Sequence, residues 1–458
     1  MDVVERSSRS KYAEGVAAAL ATQGVVAFAT TFVDNSGIAR VKTVPLARLP
    51  QLAAWGVGFS TAFDYFRFDD WVAAPPTGEG PIGDQRIIPD LSRVVTLSAQ
   101  PGWAWSPGER WTQDGEPHNK CSRLLLRRQA DGLAEQGIEV QAAFEIEWAV
   151  SRGDGDDFTP ATAGSGYGMS RLVEVSGYCR DVITALTKQG VEVEQFHPEY
   201  AAGQFEVSVA PEAPLAAADT SVLVRTTVRA VSETHGFRTS FSPKVDTAGV
   251  GNGGHVHLSL WRDGQNLMAG GDSRFELTET GASFSAGVLQ RLPALLAVGA
   301  PGVASYLRLV PQHWAGAYAC WGLENREAAM RMITGSTGST SRAANMEIKC
   351  FDLLANPYLA LSGLLAAGAA GIAEGAELPD PVDVDPAALG EDVLEKRGVK
   401  RLPTTLREAV DLFAADESLT SAFGRPLVDS IVAVRESEMA LFADADPEEV
   451  AAATRWLH

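Results

Sequence analysis

Phe144-Glu145-Ile146-Glu147-Trp148 and Gly251-Asn252-Gly253-Gly254-His255-Val256-His257-Leu258-Ser259 decide how this chain is read. In the first stretch two carboxylates sit at i and i+2 inside the apolar run Ile138–Val150. A strand's period of two puts both on one face, among residues that belong in a core. Two buried like charges are costly, and a metal cation is the natural remedy. In the second stretch a glycine loop gives way to a strand with two imidazoles on one face. Hydroxyls and backbone N–H groups beside it could hold phosphate. Taken singly, an acid pair on a strand is a weak metal signal, and either histidine fits a hydrogen-bonded core residue.

Further elements flank these two. Glu199-Tyr200-Ala201-Ala202-Gly203-Gln204-Phe205-Glu206 places another acid pair on a turn leading into a strand. Arg308, Asn325-Arg326 and Arg331 supply guanidinium forks that match phosphate oxygens. Glu347 lies in Met346-Glu347-Ile348-Lys349, just before Asn356-Pro357-Tyr358. An oxygen-rich donor set with a single imidazole suits Mg²⁺ or Mn²⁺, the ions that bridge ATP phosphates. Zinc fits less well, because no Cys/His cluster is present. The residues alone therefore imply a metal-dependent phosphoryl-transfer enzyme.

The rest of the chain bounds that reading. Its 458 residues call for two domains. Net charge is −20 with no Lys/Arg run, which argues against a nucleic-acid partner. Met1 to Tyr12 is polar and lacks a signal-peptide core. The most apolar stretch, Leu359 to Ala370, is Ala/Gly-rich and reads as a buried helix instead of a membrane span. Four scattered cysteines read as reduced thiols, so a cytoplasmic protein is expected. The first region opens with a helix through Ala21. Strands follow at Val25–Val33 and Ile38–Leu46 around Asp34-Asn35-Ser36-Gly37, then a Pro/Gly-rich loop from Ala74 to Gly83 and a strand at Ser92–Leu97. Trp103, Trp105 and Trp111 suit a core or an interface. The polar stretch Thr112 to Asn119 divides residues 11–112 from 119–458. Beyond it come a helix from Ser122 to Gln136 and alternating strands and helices, with a periodic helical stretch from Leu406 to Leu441. The fold class is α+β.

In this order the motifs resemble the glutamine synthetase family. So do Asp84…Pro89-Asp90, Pro243-Lys244, Arg308-Leu309-Val310-Pro311 and Ala355-Asn356-Pro357-Tyr358. The resemblance implies a small N-terminal β-grasp domain and a large catalytic α+β domain. It implies ATP and two or three Mg²⁺ or Mn²⁺ ions per site. It also implies a homo-oligomeric double ring, a dodecamer, whose active sites are shared between neighbours. Carried over by position, Glu147, Glu199 and Glu206 hold one metal, and Glu145, His255 and Glu347 hold the other. Arg326, Arg331 and Arg342 match phosphate-binding cations, His257 and Ser259 match nucleotide contacts, and Arg308 matches the arginine that meets the substrate carboxylate. Gly251 belongs to the substrate loop.

Four positions depart from the family. Trp314 replaces the flap glutamate that takes a proton from ammonium. Val250 replaces an asparagine that contacts the amino acid, and Lys349 replaces a second carboxylate-binding arginine. Ser60 stands where an acidic residue binds ammonium, with Asp64 nearby. All four lie on the substrate side, while the metal and phosphate sides match. The expectation is an ATP-dependent carboxylate–amine ligase that works through an acyl phosphate and uses an acid or amine other than glutamate and ammonia. Family relatives of this kind join glutamate to polyamines, ethanolamine or other alkylamines. A non-catalytic assembly and a phosphotransferase are the competing readings. The expected partners are small molecules, with no nucleic acid and no membrane.

Overall fold

The computed structural model describes residues 1–76 and 82–457, so the expected loop over 74–83 lies partly outside the described residues. The first helix, Val3–Thr22, starts well before Lys11, because Asp2 caps it by accepting from the Glu5 N–H at 2.9 Å. Strands β1 (Ala27–Val33) and β2 (Ala39–Pro45) then form an antiparallel hairpin. Its turn is fixed by Asp34, which accepts from the Ser36 and Ile38 N–H groups at 3.0 Å. Gly37 is needed for two reasons: its φ is +77°, and a Cβ there would lie 1.9 Å from the Leu354 carbonyl oxygen. The helix Leu49–Trp55 leads to β3 (Val57–Ser60), β4 (Asp84–Pro89), β5 (Val95–Thr96) and β6 (Trp103–Thr112).

Among the described residues these strands run β2-β1-β6-β4-β3, with β5 on β6 and β1 parallel to β6. This is the mixed sheet of a β-grasp. The two helices pack on it through Leu20, Phe28, Leu49 and Leu52. The strand expected over Ser92–Leu97 is mostly absent. Asp90 accepts from the Ser92 N–H and winds Leu91–Arg93 into a 3₁₀ turn, which leaves only Val95–Thr96 to pair.

The second sheet positions the site. Its strands are β7 (Glu139–Arg152), β8 (Val193–Pro198), β9 (Gln204–Val209), β10 (Phe237–Ser240) and β11 (Gly254–Arg262). They continue with β12 (Gln265–Asn266), β13 (Tyr318–Leu323), β14 (Ala328–Ile333), β15 (Asn345–Ile348) and β16 (Lys400–Arg401). The order is β16-β13-β14-β15-β11-β7-β9-β8, with β10 on β7 and β12 on β11. One face carries Phe144, Ile146, Trp148, Val256 and Leu258 into the main core beneath long helices. Strand alternation sends residues 145, 147, 255 and 257 to the opposite face. Two of those helices, Glu279–Gly299 and Pro357–Glu374, are long and apolar enough to cross a membrane. About 72% of each apolar window is buried against protein, as core helices require.

Asn356 joins the two sheets' domains. Its Oδ1 caps the helix Pro357–Glu374 by accepting from Tyr358 and Leu359 N–H, while its Nδ2 donates to the Val33 and Asp34 carbonyls and to Ser122 Oγ. The stretch from Leu406 to Leu441 is three helices, broken by the Asp416 cap and by Gly424 at φ +82°. Cys121, Cys179, Cys320 and Cys350 are free and buried.

Candidate active site

Strand register assembles the site. Across the second sheet Glu147 pairs with Glu206, Glu145 with His255, His257 with Glu347, and Glu347 with Arg331. Cross-strand partners share a face, so acids, imidazoles and a guanidinium form one row over five strands. The row floors a cleft of about 510 Å³. His255 Nδ1 lies 2.7 Å from Glu145 Oε2 and 3.4 Å from Glu347 Oε1. Arg331 and Lys349 donate to the two Glu347 oxygens at 2.9 and 3.1 Å.

Two groups of donors could each hold a cation. Glu145, His255 and Glu347 bring one ligand atom apiece within 4.8 Å of one another, and so do His197, Glu199 and Glu206. The resemblance assigns Glu147 where this geometry has His197. Glu147 Oε2 is already taken by Gln204 Nε2 at 2.9 Å and the Gly253 N–H at 2.8 Å, which leaves Oε1, 3.7 Å from His255 Nε2, as the oxygen that could face a cation.

The electrostatics show how closely the acids are crowded. Burial, then the charges of Glu145, Glu147 and Glu199, push the Glu206 carboxyl up to about 10. Burial also raises Glu147, with Glu199 adding to the effect. Burial would raise Glu145 too, but His255 and His257 hold it well below the usual carboxylate range. Glu347, for all its burial, is held down to about 2 by Lys349 and the two histidines. His257 rises to about 9 against its burial, through Glu145 and Glu347.

The expected residues fall into two sets. His257, Arg308, Trp314, Arg326, Arg331, Lys349, Val250 and Gly251 line the cleft with Glu145, Glu147, Glu199, Glu206 and His255. Arg308 is buried and donates to the Phe351 and Lys349 carbonyls at 3.2 and 3.1 Å, and it lies 3.2 Å from His255 Nε2. Gly251 admits no side chain, since a Cβ would meet the Pro243 carbonyl at 1.9 Å. Four expected residues do not line this cleft. Glu347 is buried and bonded to Arg331 and Lys349, which do line it. Ser259 Oγ accepts from Trp261 Nε1. Arg342 is exposed on the short helix Thr340–Ala343. Ser60 caps a 3₁₀ turn on the other sheet by accepting from Ala62 N–H. The nearby Asp64 is buried in an ion pair with Arg110.

Several cleft residues were not singled out in the sequence. His197 donates toward Glu199 Oε1 at 3.1 Å and stacks on Tyr167, 6.0 Å between ring centres. It precedes Glu199 by two, the same spacing that marks Glu145 and Glu147. Tyr200 meets Trp314 edge-on at 5.1 Å. Glu327 accepts from the N–H groups of Gln312 and Trp314 at 3.1 and 2.9 Å and pins the flap. Both flap residues have left-handed φ, 63° and 54°, which no sequence pattern announces.

Residues 119–452 match the glutamine synthetase catalytic domain. The chain belongs to the glutamine synthetase family. It is 53% identical over 454 residues to gamma-glutamylpolyamine synthetase GlnA3 of Streptomyces coelicolor, covering 98% of this chain and 97% of the relative. A glutamine synthetase of Thermococcus kodakarensis is 32% identical, with 68% of each chain covered. Among solved structures, one described as a novel glutamine synthase homolog superposes with a TM-score of 0.85 at 33% identity, covering 95% of this chain and 99% of that one. A GmaS/ADP complex gives 0.82 at 27% identity, covering 94% and 96%. Like its glutamine synthetase relatives, the chain is an ATP-dependent carboxylate–amine ligase acting on small molecules, and this family works with divalent metals.

Proposed function

We propose that the enzyme joins the γ-carboxyl group of glutamate to a primary amine of the polyamine or long alkylamine class. The observation that carries this reading is the cleft mouth. Trp314, 43% exposed, occupies the flap position at which a glutamate serves ammonia, and its ring meets Tyr200 beside Glu199. An indole accepts no proton, but it covers methylenes and holds an ammonium over its face. A polyamine offers both, and the acids of the cleft suit its remaining charge. The name of the Streptomyces relative supports the same amine class.

In the reaction a carboxylate oxygen takes the γ-phosphoryl group of ATP and ADP leaves. The amine nitrogen then attacks the acyl carbon, phosphate departs and the nitrogen gives up a proton. Two Mg²⁺ or Mn²⁺ ions would be held by Glu147, Glu199 and Glu206 and by Glu145, His255 and Glu347. The close grouping of Glu145, His255 and Glu347 and of Glu199 with Glu206 supports this, and Glu147 lines the same cleft. Bound there, such ions offset phosphate charge during transfer. Arg326 and Arg331 face the transferring group, and Arg342, His257 and Ser259 serve the nucleotide. Arg308, Lys349, Val250 and Gly251 shape the acid pocket. Trp314 shields the acyl phosphate from water.

Ser60 acts in a neighbouring subunit's cleft within a double-ring dodecamer, which light scattering tests. The domains divide between residues 11–112 and 119–458, and the enzyme works in the cytoplasm, where its four free thiols stay reduced. The deciding assay measures ADP release over a matrix of acids and amines. Glutamate with a polyamine should be fastest, and ammonia slower by about a hundredfold. Glutamine formation at a comparable rate would overturn the reading.

A further inference from the structure

The catalytic cleft does not account for every cation in the fold. Arg225 and Arg229 lie one turn apart on the helix Pro214–Thr234. Both guanidiniums rest against the Phe241 ring, 5.4 and 5.5 Å from its centre. Neither makes an ion pair or a side-chain hydrogen bond among the described residues. Like charges at i and i+4 repel, and partly buried ones without a partner cost more. Burial lowers the proton affinity of both arginines, and the Arg229 charge lowers that of Arg225 further. The acids that act on them from a distance are Asp352 and Glu233, and neither forms an ion pair with them. In a chain with 58 acidic and 38 basic residues, two adjacent arginines left unpaired call for an explanation.

The two arginines open onto a cavity of about 400 Å³. Its opposite wall is the hairpin turn of the β-grasp domain, with Val33, Gly37 and Ile38, and Gln100 stands beside it. No residue of this cavity lines the catalytic cleft. We propose that the cavity is a second binding site, for a small oxyanion ligand of the phosphate monoester or polycarboxylate class. Arg225 and Arg229 grip the oxyanion through their forks, and the Gln100 carboxamide offers a further donor. The exposed Glu233 carboxylate at the rim disfavours ligands with anionic groups at both ends. Because the walls come from both domains, an occupant ties the hairpin to the catalytic domain.

The test titrates inorganic phosphate and citrate separately into the full-length protein in low-salt buffer, followed by calorimetry and thermal melting. Three proteins are compared: wild type, R225Q/R229Q, and R326Q/R331Q as a control for anion binding in the cleft. Wild type and the cleft control should bind one of the two anions and melt several degrees higher with it. The R225Q/R229Q protein should bind that anion at least tenfold more weakly. In anion-free buffer it should melt at or above wild type, since two unpaired charges are gone. Stronger binding of phosphate points to a monoester, and stronger binding of citrate to a polycarboxylate. The proposal fails if wild type binds neither anion, or if R225Q/R229Q binds them as well as wild type. It also fails if R225Q/R229Q melts lower without anion, which would make the pair structural. A smaller assembly for R225Q/R229Q in light scattering would assign the arginines to a subunit contact and equally overturn it.

Discussion

The floor and the mouth of the cleft are built by different means. The floor is strand: Glu206, Glu147, Glu145, His255, Glu347 and Arg331 follow from one another by register, and each is locked by partners at 2.7–3.4 Å or by pairing across the sheet. The mouth is loop. Val250, Tyr200 and Trp314 are held by turns, an edge-on ring contact and two hydrogen bonds to Glu327. Residues locked in a sheet change together or not at all, whereas loop residues change singly. That difference fits a chain that keeps the floor's acids and imidazoles while two of its four departures, Val250 and Trp314, lie at the mouth; Lys349 is buried against Glu347, and Ser60 lies off the cleft.

Changes to the floor should do the most damage. Glu147→Ala or Glu347→Ala should lower ADP release by about a thousandfold or more while the protein still folds, as judged by circular dichroism. Turnover within tenfold of wild type in either variant would break the contrast. Changes at the mouth should redistribute activity. Trp314→Ala should raise ATP hydrolysis in the absence of amine, and Trp314→Glu should shift the ratio of ammonia to polyamine use toward ammonia by about tenfold. An unchanged ratio would mean that Trp314 does not face the amine.

A smaller effect is expected one step back from the mouth. Glu327→Gln keeps the size of the side chain but weakens two charge-assisted bonds to the flap, worth about 1 kcal/mol at this partly exposed position. Amine-independent ATP hydrolysis should rise about fivefold, with the Michaelis constant for ATP unchanged. A change in that constant alone would place Glu327 outside the flap's support.

The smallest effect is thermal. With its folded pKa raised to about 10, Glu206 stabilises the metal-free fold by holding a proton. That contribution is complete below its unfolded value of about 4.5 and fades as pH rises through 10. The melting-temperature gain on adding Mg²⁺ should therefore grow between about pH 6 and pH 9. A gain that stays flat or shrinks over that range would remove Glu206 from the cation's surroundings.

The floor was legible in the sequence because its signal is local: i and i+2 spacing in an apolar run says which side chains share a face. Which strand lies beside which was not legible, and that decides that Glu145 meets His255. His197 carried the same spacing relative to Glu199 and could have been found. Glu327 could not, because its role depends on left-handed backbone at Gln312 and Trp314. Arg342 and Ser259 fit the family's motifs and Ser60 departs from them, yet the fold of one chain leaves all three off the cleft lining. The missing strand at Ser92 shows a local contest lost by pattern, where one Asp90 hydrogen bond outweighed β-prone neighbours.

The position of strand β15 also sets when the enzyme comes into being during its synthesis. Strands β7, β9 and β11, with the turn before β9 that carries Glu199, leave the ribosome before β15 and bring five of the six acid and imidazole donors. Glu347 arrives on a strand that must slot between β11 and β14, and the helix behind it, Pro357–Glu374, follows later still. Pairings this distant along the chain close slowly, and domains emerge N-terminal part first. A nascent chain therefore carries a repelling cluster of carboxylates and no complete seat for ATP. Chemistry that makes a water-sensitive acyl phosphate is withheld until the chain is nearly finished.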